Sequence, residues 1–585
     1  MILQALTAYY EALAKKDGIA RPGWGAAQVA FALELDGEGR LTRVIPLSSP
    51  TADGKKLKPQ TRKLPAPLKR TVGVASNFLW DNSAYLLGFD SKGRPERAKE
   101  CFEKARELHL SLLSPLDEPY AKAICRFFER WAPEAAEENG VFADSLTEIK
   151  KGANLVFLFD GRFPDEDGAL CRAWQSYYDG GSGGETLRCL VTGEKAVPEK
   201  IHPAIKKVWG AQSSGAALVS FNADAFCSYG KEQNLNAPAS KYAAFAYTTA
   251  LNALLADGDH VLRFGDTTVV FWAEDAEPAY QSAFAAFLNG GGDAITASEL
   301  KGCMEALARG EPHDFGGVPL RPKNRFYVLG LAPNAARLSV RFFLRDSFGK
   351  FASNLQRHYD DIAVVGDNRS KWDAVPLWAL MRETVNQNSR NKSASPQMAG
   401  DMLRSILSGS AYPATLYQQT QLRVRAEHEI TRGRAGIIKA YLLRLQNNQK
   451  YREALTVELN EQTNYQPYVL GRLFSVLEGL QQMANPGINT TIKDKYFTSA
   501  GATPSIVFPT LLNLAEKHLR KLDGGKRVYF AKQITELTGR ITESYPAHHN
   551  LYDQGVFQLG YYHQTQKRFE KKEKTAAAEP MKEEN

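Results

Sequence analysis

The sequence predicts an α+β protein: a mixed α/β N-terminal region followed by an all-helical C-terminal bundle. Two observations carry this reading. Short runs rich in β-branched and aromatic residues, such as NLVFLFDG, TTVVFWAE and NRFYVLGLAP, fall within about the first 375 residues. After Pro376 the apolar residues recur at helical spacing instead, with breaks at Asn485-Pro486-Gly487 and Asp523-Gly524-Gly525. The chain has 585 residues, too many for one ordinary core. Three regions are expected: a mixed α/β domain over 1–375, a basic helical connection over 376–460, and a helical bundle over 461–585.

The elements follow in order. MILQALTAYYEALAKK opens as an amphipathic helix, and QVAFALELD, Gly37 to Arg40 and LTRVIPL read as a hairpin. The stretch from Asp53 to Arg70 carries Lys55, Lys56, Lys58, Arg62, Lys63, Lys69 and Arg70 among Pro59, Pro65 and Pro67. The prolines forbid a continuous helix, so a loop or extended arm is expected. Glu96 to Leu113 has helical spacing. Asn154 to Gly161 reads as a buried strand followed by the acidic residues Asp165, Glu166 and Asp167. ETLRCLVTGE and GAALVSFN are two further strand candidates, Tyr242 to Ala256 a helix, and Thr267 to Glu274 a strand. NRFYVLGLAP and ARLSVRFFLRD form a strong strand pair. In the C-terminal region Leu470, Leu473, Phe474, Leu477 and Leu480 share one helical face, as do Phe530, Ile534, Leu537 and Ile541. The tail after Lys567 is expected to fray.

Composition narrows the function. Lys and Arg number 73 against 65 Asp and Glu, a net charge of +8 that fits a polyanion without requiring one. The six cysteines are scattered, which suggests a reducing, cytoplasmic setting. Cys171, Cys189 and His202 lack the spacing of a zinc site. No basic segment precedes an apolar one at the N-terminus, and no apolar run approaches the roughly 20 residues of a membrane span. Neither a signal peptide nor a membrane partner is expected. GGSGGE at 180–185 lacks the Lys-Ser/Thr of a phosphate-binding loop. GxSxG and HExxH are absent as well. Neither a cofactor nor a metal is expected, and no catalytic residue is assigned. The alternative is a metal-dependent nuclease or phosphohydrolase using Asp160, Asp165 and His313, since clustered carboxylates and a histidine suit a divalent cation.

Polyanion binding has better material. The 55–70 arm suits phosphates. Arg423, Arg425, Arg432, Arg434 and Lys439 form a second basic cluster, in which Arg425, Arg432 and Lys439 recur every seven residues and would share a face if helical. ASNFLWDNSAYLLG sets Asn77 and Asn82 among rigid aromatics, and an amide both donates to and accepts from a base edge. The plainer reading has Asn77 cap a helix.

One stretch identifies the chain best: CLVTGEKAVPEKIHPAIKKVWGAQSSGAALVSFNADAFCSYGKEQNLNAPASKYAAFAYTTALNALL, from Cys189. Together with RTVGVASNFLWDNSAYLLG, NRFYVLGLAPNAARLSVRFF, LGRLFSVLEGLQQMANPGINTTIKDKYF and LGYYHQTQ, it resembles the Csd-type large subunit of the type I-C CRISPR interference complex, Cascade. The resemblance spans nearly the whole chain. It implies a non-catalytic subunit that meets guide RNA, the backbone and handle-binding subunits, and small subunits. It further implies recognition of a protospacer-adjacent motif in duplex DNA, help in opening the duplex, support of the displaced strand, and recruitment of a helicase–nuclease. Guide pairing reads most of the sequence, so the protein needs only a short contact surface. In this family the C-terminal helices are also made separately as the small subunit by internal translation. Met483 is the only methionine between Met402 and Met581, and a non-ATG start upstream is the other possibility. A reader of the degenerate minor groove favours amides, hydroxyls and backbone N–H groups. The candidates are Asn77, Asn82, Gln212, Ser213 and Ser214, with Gly215 admitting backbone close to DNA. Lys69 and Arg70 are placed to clamp phosphate.

Overall fold

The computed structural model describes the chain apart from residues 17, 51–56, 68–72, 91–92, 135–139, 143–144, 181–185, 290–295, 367–374, 387, 391–393 and 577–585. Its contacts divide it into two compact units. One comprises Leu3–Pro203 with Val219–Ala250, the other Ala204–Leu218 with Leu251–Asn585.

The first unit is organised by the strand Asn154–Phe159. It pairs in parallel with Phe31–Leu35 and antiparallel with Trp80–Asn82, while Phe31–Leu35 forms the expected hairpin with Leu41–Pro46. The helices Pro95–Leu113 and Pro119–Arg130 contribute to the same apolar core as this sheet. At its centre His109 stacks on Phe78 and lies near Phe128 and Phe157. Leu79, held at a left-handed φ of 69°, donates its N–H to His109 Nε2 at 2.8 Å. An N–H can only donate, so Nε2 carries no proton and Nδ1 donates to the Ala105 carbonyl at 2.7 Å. Complete burial pushes this histidine's pKa down to about 4.

Two expectations from the sequence need correcting. Gln60–Pro65 is not a loose arm but a strand paired antiparallel with Trp24–Val29, with Leu64 buried between them. Prolines that forbid a helix are tolerated at strand ends, where Pro65 stands. ETLRCLVTGE supplies only the short pair Leu187–Arg188 with Lys195–Ala196, and GAALVSFN makes isolated bridges rather than a strand.

In the second unit Val261–Phe264, Thr267–Ala273, Arg325–Asn334 and Arg337–Ser347 form an antiparallel sheet in that order. Every residue of Thr267–Ala273 is buried. Phe271 and Phe326 pack against Phe284 and Phe348, on the helices Pro278–Asn289 and Phe348–Ile362. The same apolar cluster continues without a break into the C-terminal helices, through Leu403, Tyr417, Phe474 and Phe557. The second unit thus joins this sheet and the C-terminal helices around one apolar core.

The helix Gln466–Ala484 is buried on all sides from Pro467 to Leu480 and runs beside Leu551–Ala576. Small residues permit the approach: a Cβ at Gly471 would run into the carbonyl of Phe557, and one at Gly560 into that of Tyr468. Polar groups along this contact pair with one another, Tyr468 with His563 at 2.8 Å and Arg472 with Gln564 at 3.0 Å. The end of the tail that was expected to fray, 577–585, lies outside the described residues.

Gly471→Ala is therefore expected to destabilise the chain by about 1–3 kcal/mol in denaturant unfolding, the usual cost of overpacking. Gly525→Ala, with open space at its Cβ, should be neutral or slightly stabilising. A second expectation concerns pH. Between pH 6.5 and about 4 the unfolded chain protonates His109 and the folded chain does not. That contribution is fully present above pH 6.5 and is lost as pH falls toward 4. Measured unfolding free energies across this range should decline with acid, and His109→Phe should remove about one proton from that dependence. An unchanged proton uptake in the variant would contradict the assignment.

Candidate nucleic-acid interface

The segment Ala204–Leu218 closes on itself and seats on the sheet of the second unit. Ile205 and Ala216 exchange backbone hydrogen bonds of 2.9 and 2.8 Å. The Asn252 side chain clamps the entrance, accepting from Lys206 N at 2.8 Å and donating to the Ala204 carbonyl at 3.0 Å. Trp209 N donates to Thr268 Oγ1 at 3.0 Å, and Ala217 bonds Ala336 and Leu338 at the end of the strand pair. Ile205, Val208 and Ala216 are its buried anchors. Three left-handed positions turn the chain, at Lys207, Gly210 and Gly215. Gln212, Ser213 and Ser214 are left exposed at the tip, beside exposed Lys206, Lys207 and Trp209.

Gly215 is needed for a different reason from the one expected. A Cβ there would lie 2.8 Å from the Ile205 carbonyl oxygen and 2.9 Å from the Ala204 Cβ. Its missing side chain thus admits the protein's own backbone and closes the loop.

The Ala75–Gly88 segment spends its polar groups on its own fold. Asn77 is only 5% exposed and Asp81 is more buried still. Asp81 accepts from the N–H groups of Asn77 and Asn82, both at 2.8 Å. Asn82, not Asn77, is the cap, accepting from Ala84 N at 3.0 Å ahead of the short helix Ser83–Leu86. Buried Asn77 is therefore withdrawn as a base-edge contact, and the half-buried Asn82 oxygen is already engaged.

The basic clusters divide in the same way. Lys55, Lys56, Lys69 and Arg70 lie outside the described residues; Lys58 is exposed on the short pair Leu57–Lys58 with Ser49–Pro50. Helix Ala414–Glu427 ends at left-handed His428, and a new helix, Arg432–Leu443, starts after it. The seven-residue spacing of Arg425, Arg432 and Lys439 thus falls on two helices and makes no single stripe. Arg434, 2% exposed, is held by Glu427, the Glu429 carbonyl and Glu383. Lys439, 3% exposed, donates to the carbonyls of Asp360 and Asp361, and burial pushes its pKa down to about 8. Neither presents charge to a phosphate. Arg423 pairs with Glu427 at 3.5 Å, Arg432 donates to the Val364 carbonyl at 3.3 Å, and exposed Arg425 donates to Gln554 at 2.7 Å.

The acidic loop is equally occupied. Asp165 and Glu166 bind the Arg62 guanidinium at 3.0 and 2.7 Å, and that group lies 3.6 Å over the Phe163 ring. Asp167 accepts from Ala169 N and Leu170 N at the start of the next helix. Asp314, beside His313 on a two-stranded hairpin, accepts from Gly317 N. Among the described residues no group of three His, Cys, Asp or Glu is placed to hold a metal ion. Cys189 and His202 also have protein partners: the thiol accepts from Thr192 N and Ser240 N, and His202 Nδ1 meets Tyr247 Oη at 2.7 Å. No helix among the described residues is long and apolar enough to cross a membrane.

Of the DNA-contact and phosphate-contact candidates assigned from sequence, Gln212, Ser213, Ser214, Lys58 and Arg425 are exposed among the described residues. Sequence reasoning overlooked Trp209, Lys206, Lys207 and Arg263, although an aromatic followed by Gly in the basic run KKVWG was a usable signal.

No curated protein matches the chain. The family model for the CRISPR-associated protein Cas_Csd1 matches residues 6–569. Matched over nearly its whole length, the chain belongs to the Cas_Csd1 family of CRISPR-associated proteins.

Proposed function

We propose that the chain is the large subunit of a type I-C CRISPR RNA-guided surveillance complex and reads the protospacer-adjacent motif through the tip of the Ala204–Leu218 loop. The observation that carries this reading is a loop tied to the sheet by hydrogen bonds whose exposed tip presents an amide and two hydroxyls, with cations beside them. Such groups suit the degenerate acceptor pattern of the minor groove and its phosphates. A preformed loop loses little conformational entropy on binding. In this reading Lys58 and Arg425 add phosphate contacts, and the subunit assists duplex opening, supports the displaced strand and helps recruit the helicase–nuclease. Its partners are guide RNA, the backbone and handle-binding subunits and the small subunits, in the cytoplasm. Asp165, one of the carboxylates a nuclease would need, instead binds Arg62, as does Glu166, and Asp167 caps a helix, which favours a non-catalytic role.

The core also bears on the small subunit. A product beginning at Met483 would lack the buried part of the helix Gln466–Ala484, against which Leu551–Ala576 packs. A start upstream of Gln466 keeps that core whole, and we favour it.

Within the assembled complex, replacing Gln212, Ser213 and Ser214 together with Ala is expected to reduce affinity for motif-bearing duplex by roughly tenfold or more, with motif-free duplex little changed. Equal loss on both duplexes, read by titration at fixed salt, would remove the motif-reading role. Arg425→Gln should instead weaken both alike and lower the salt slope by about one.

A further inference from the structure

We infer that Trp209 is a stacking platform for a nucleobase freed from the duplex beside the motif, an assignment that rests on the proposed function and extends it. Trp209 is 55% exposed, although its own loop already has buried anchors in Ile205, Val208 and Ala216. The indole is not needed to seat the loop. Its backbone is fixed by the bond to Thr268 and by Gly210, whose φ is 75° and whose Cβ position lies 3.2 Å from Pro333. One ring face is already occupied: the Arg263 guanidinium lies 3.4 Å from a ring centroid. Such a sandwich holds the indole in one orientation before any ligand arrives.

The charges around the ring choose the ligand. Residues 204–218 contain no Asp or Glu, and Lys206 and Lys207 are exposed. Asp266, the acid nearest Arg263 in sequence, is held by Arg341 at 2.8 Å. An exposed π-face among cations that no ion pair engages among the described residues fits a ligand that is both aromatic and polyanionic, namely a strand with an unstacked base. Bases inside a duplex have both faces covered, so the ligand must be a base at the point of opening. Gln212 stands three positions after Trp209, a reach of at most about 11 Å. That corresponds to roughly three base steps at ~3.4 Å each. The platform therefore serves the first bases next to the motif, where opening begins. Captured there, a base cannot re-pair, and the duplex stays open long enough for the guide to enter.

The test is a double-substitution cycle in the assembled complex, using motif-bearing duplexes with an abasic residue at each of the first three positions beside the motif. Trp209→Leu, which keeps apolar bulk but has no π-face, is expected to lower affinity for the intact duplex roughly tenfold. Trp209→Phe should stay within about threefold of the parent. One abasic duplex should reproduce the loss in the parent complex and show no further loss with Trp209→Leu. Additive losses, or no sensitive position, would overturn the assignment. So would a Trp209→Leu effect on assembly rather than on DNA affinity, which would mark Trp209 as a protein contact. Discrimination between motif-bearing and motif-free duplex is read in the same titrations: if it persists while the cycle is additive, only the stacking assignment fails, and if the parent complex shows none, the motif-reading role fails with it.

Discussion

A strand buried along its whole length needs cover on both faces, and the second unit is arranged around that constraint. In Thr267–Ala273 alternate residues face opposite ways. Phe271 meets the helices through Phe284, whereas Trp272 stacks on Tyr327 at 5.3 Å on the other side. Thr268, on the Trp272 side, receives the N–H of Trp209. The segment Ala204–Leu218, from before the sheet in sequence, is thereby drawn onto that side. Its inward residues are apolar because the sheet is. Its outward residues are free of that demand and can be polar, charged or aromatic. The candidate interface is thus a by-product of covering the sheet, to which its backbone is hydrogen-bonded.

Charge tells a different story inside the protein from the one it tells in the sequence. Arg434, Lys439, Arg444 and Arg472 are all buried, and each is matched by carbonyl, amide or carboxylate partners. A buried cation without such partners would cost several kcal/mol. Burial depresses the pKa of Lys439, and the charges of Asp361 and Asp360 offset only part of that effect. These residues make the sequence look more like a nucleic-acid binder than its surface is. Lys206 and Lys207, by contrast, are exposed on the Ala204–Leu218 loop.

Much of the fold was legible because its signals were long. The sheet of the second unit was visible in TTVVFWAE, NRFYVLGLAP and ARLSVRFFLRD, and the C-terminal helices in their apolar spacing. The strand Gln60–Pro65 was missed because its prolines and charges outweighed the alternation of Arg62 with Leu64, which depends on a partner strand far away in sequence. The site was half legible. Gln212 to Ser214 stood out as polar residues beside a glycine, yet Asn77 and Asn82 carried the same signature. Only burial separates them. The bonds that hold Asn77 and Asn82 come from Asp81 and Ala84 close by, and the sequence offers no way to weigh such local bonding against contact with a base. Trp209 was overlooked for a related reason: an aromatic after a valine reads as core until the loop is seen to have other anchors.

The most direct test of this account places a photoreactive side chain at residue 212 or at residue 82 in the assembled complex and asks which one crosslinks to motif-bearing DNA. Crosslinking from position 212, confined to the motif and the bases beside it, is the predicted result. Crosslinking from position 82 with none from 212 would contradict the account, because it would mean that the segment folded around Asp81 opens to DNA and the loop on the sheet does not meet it.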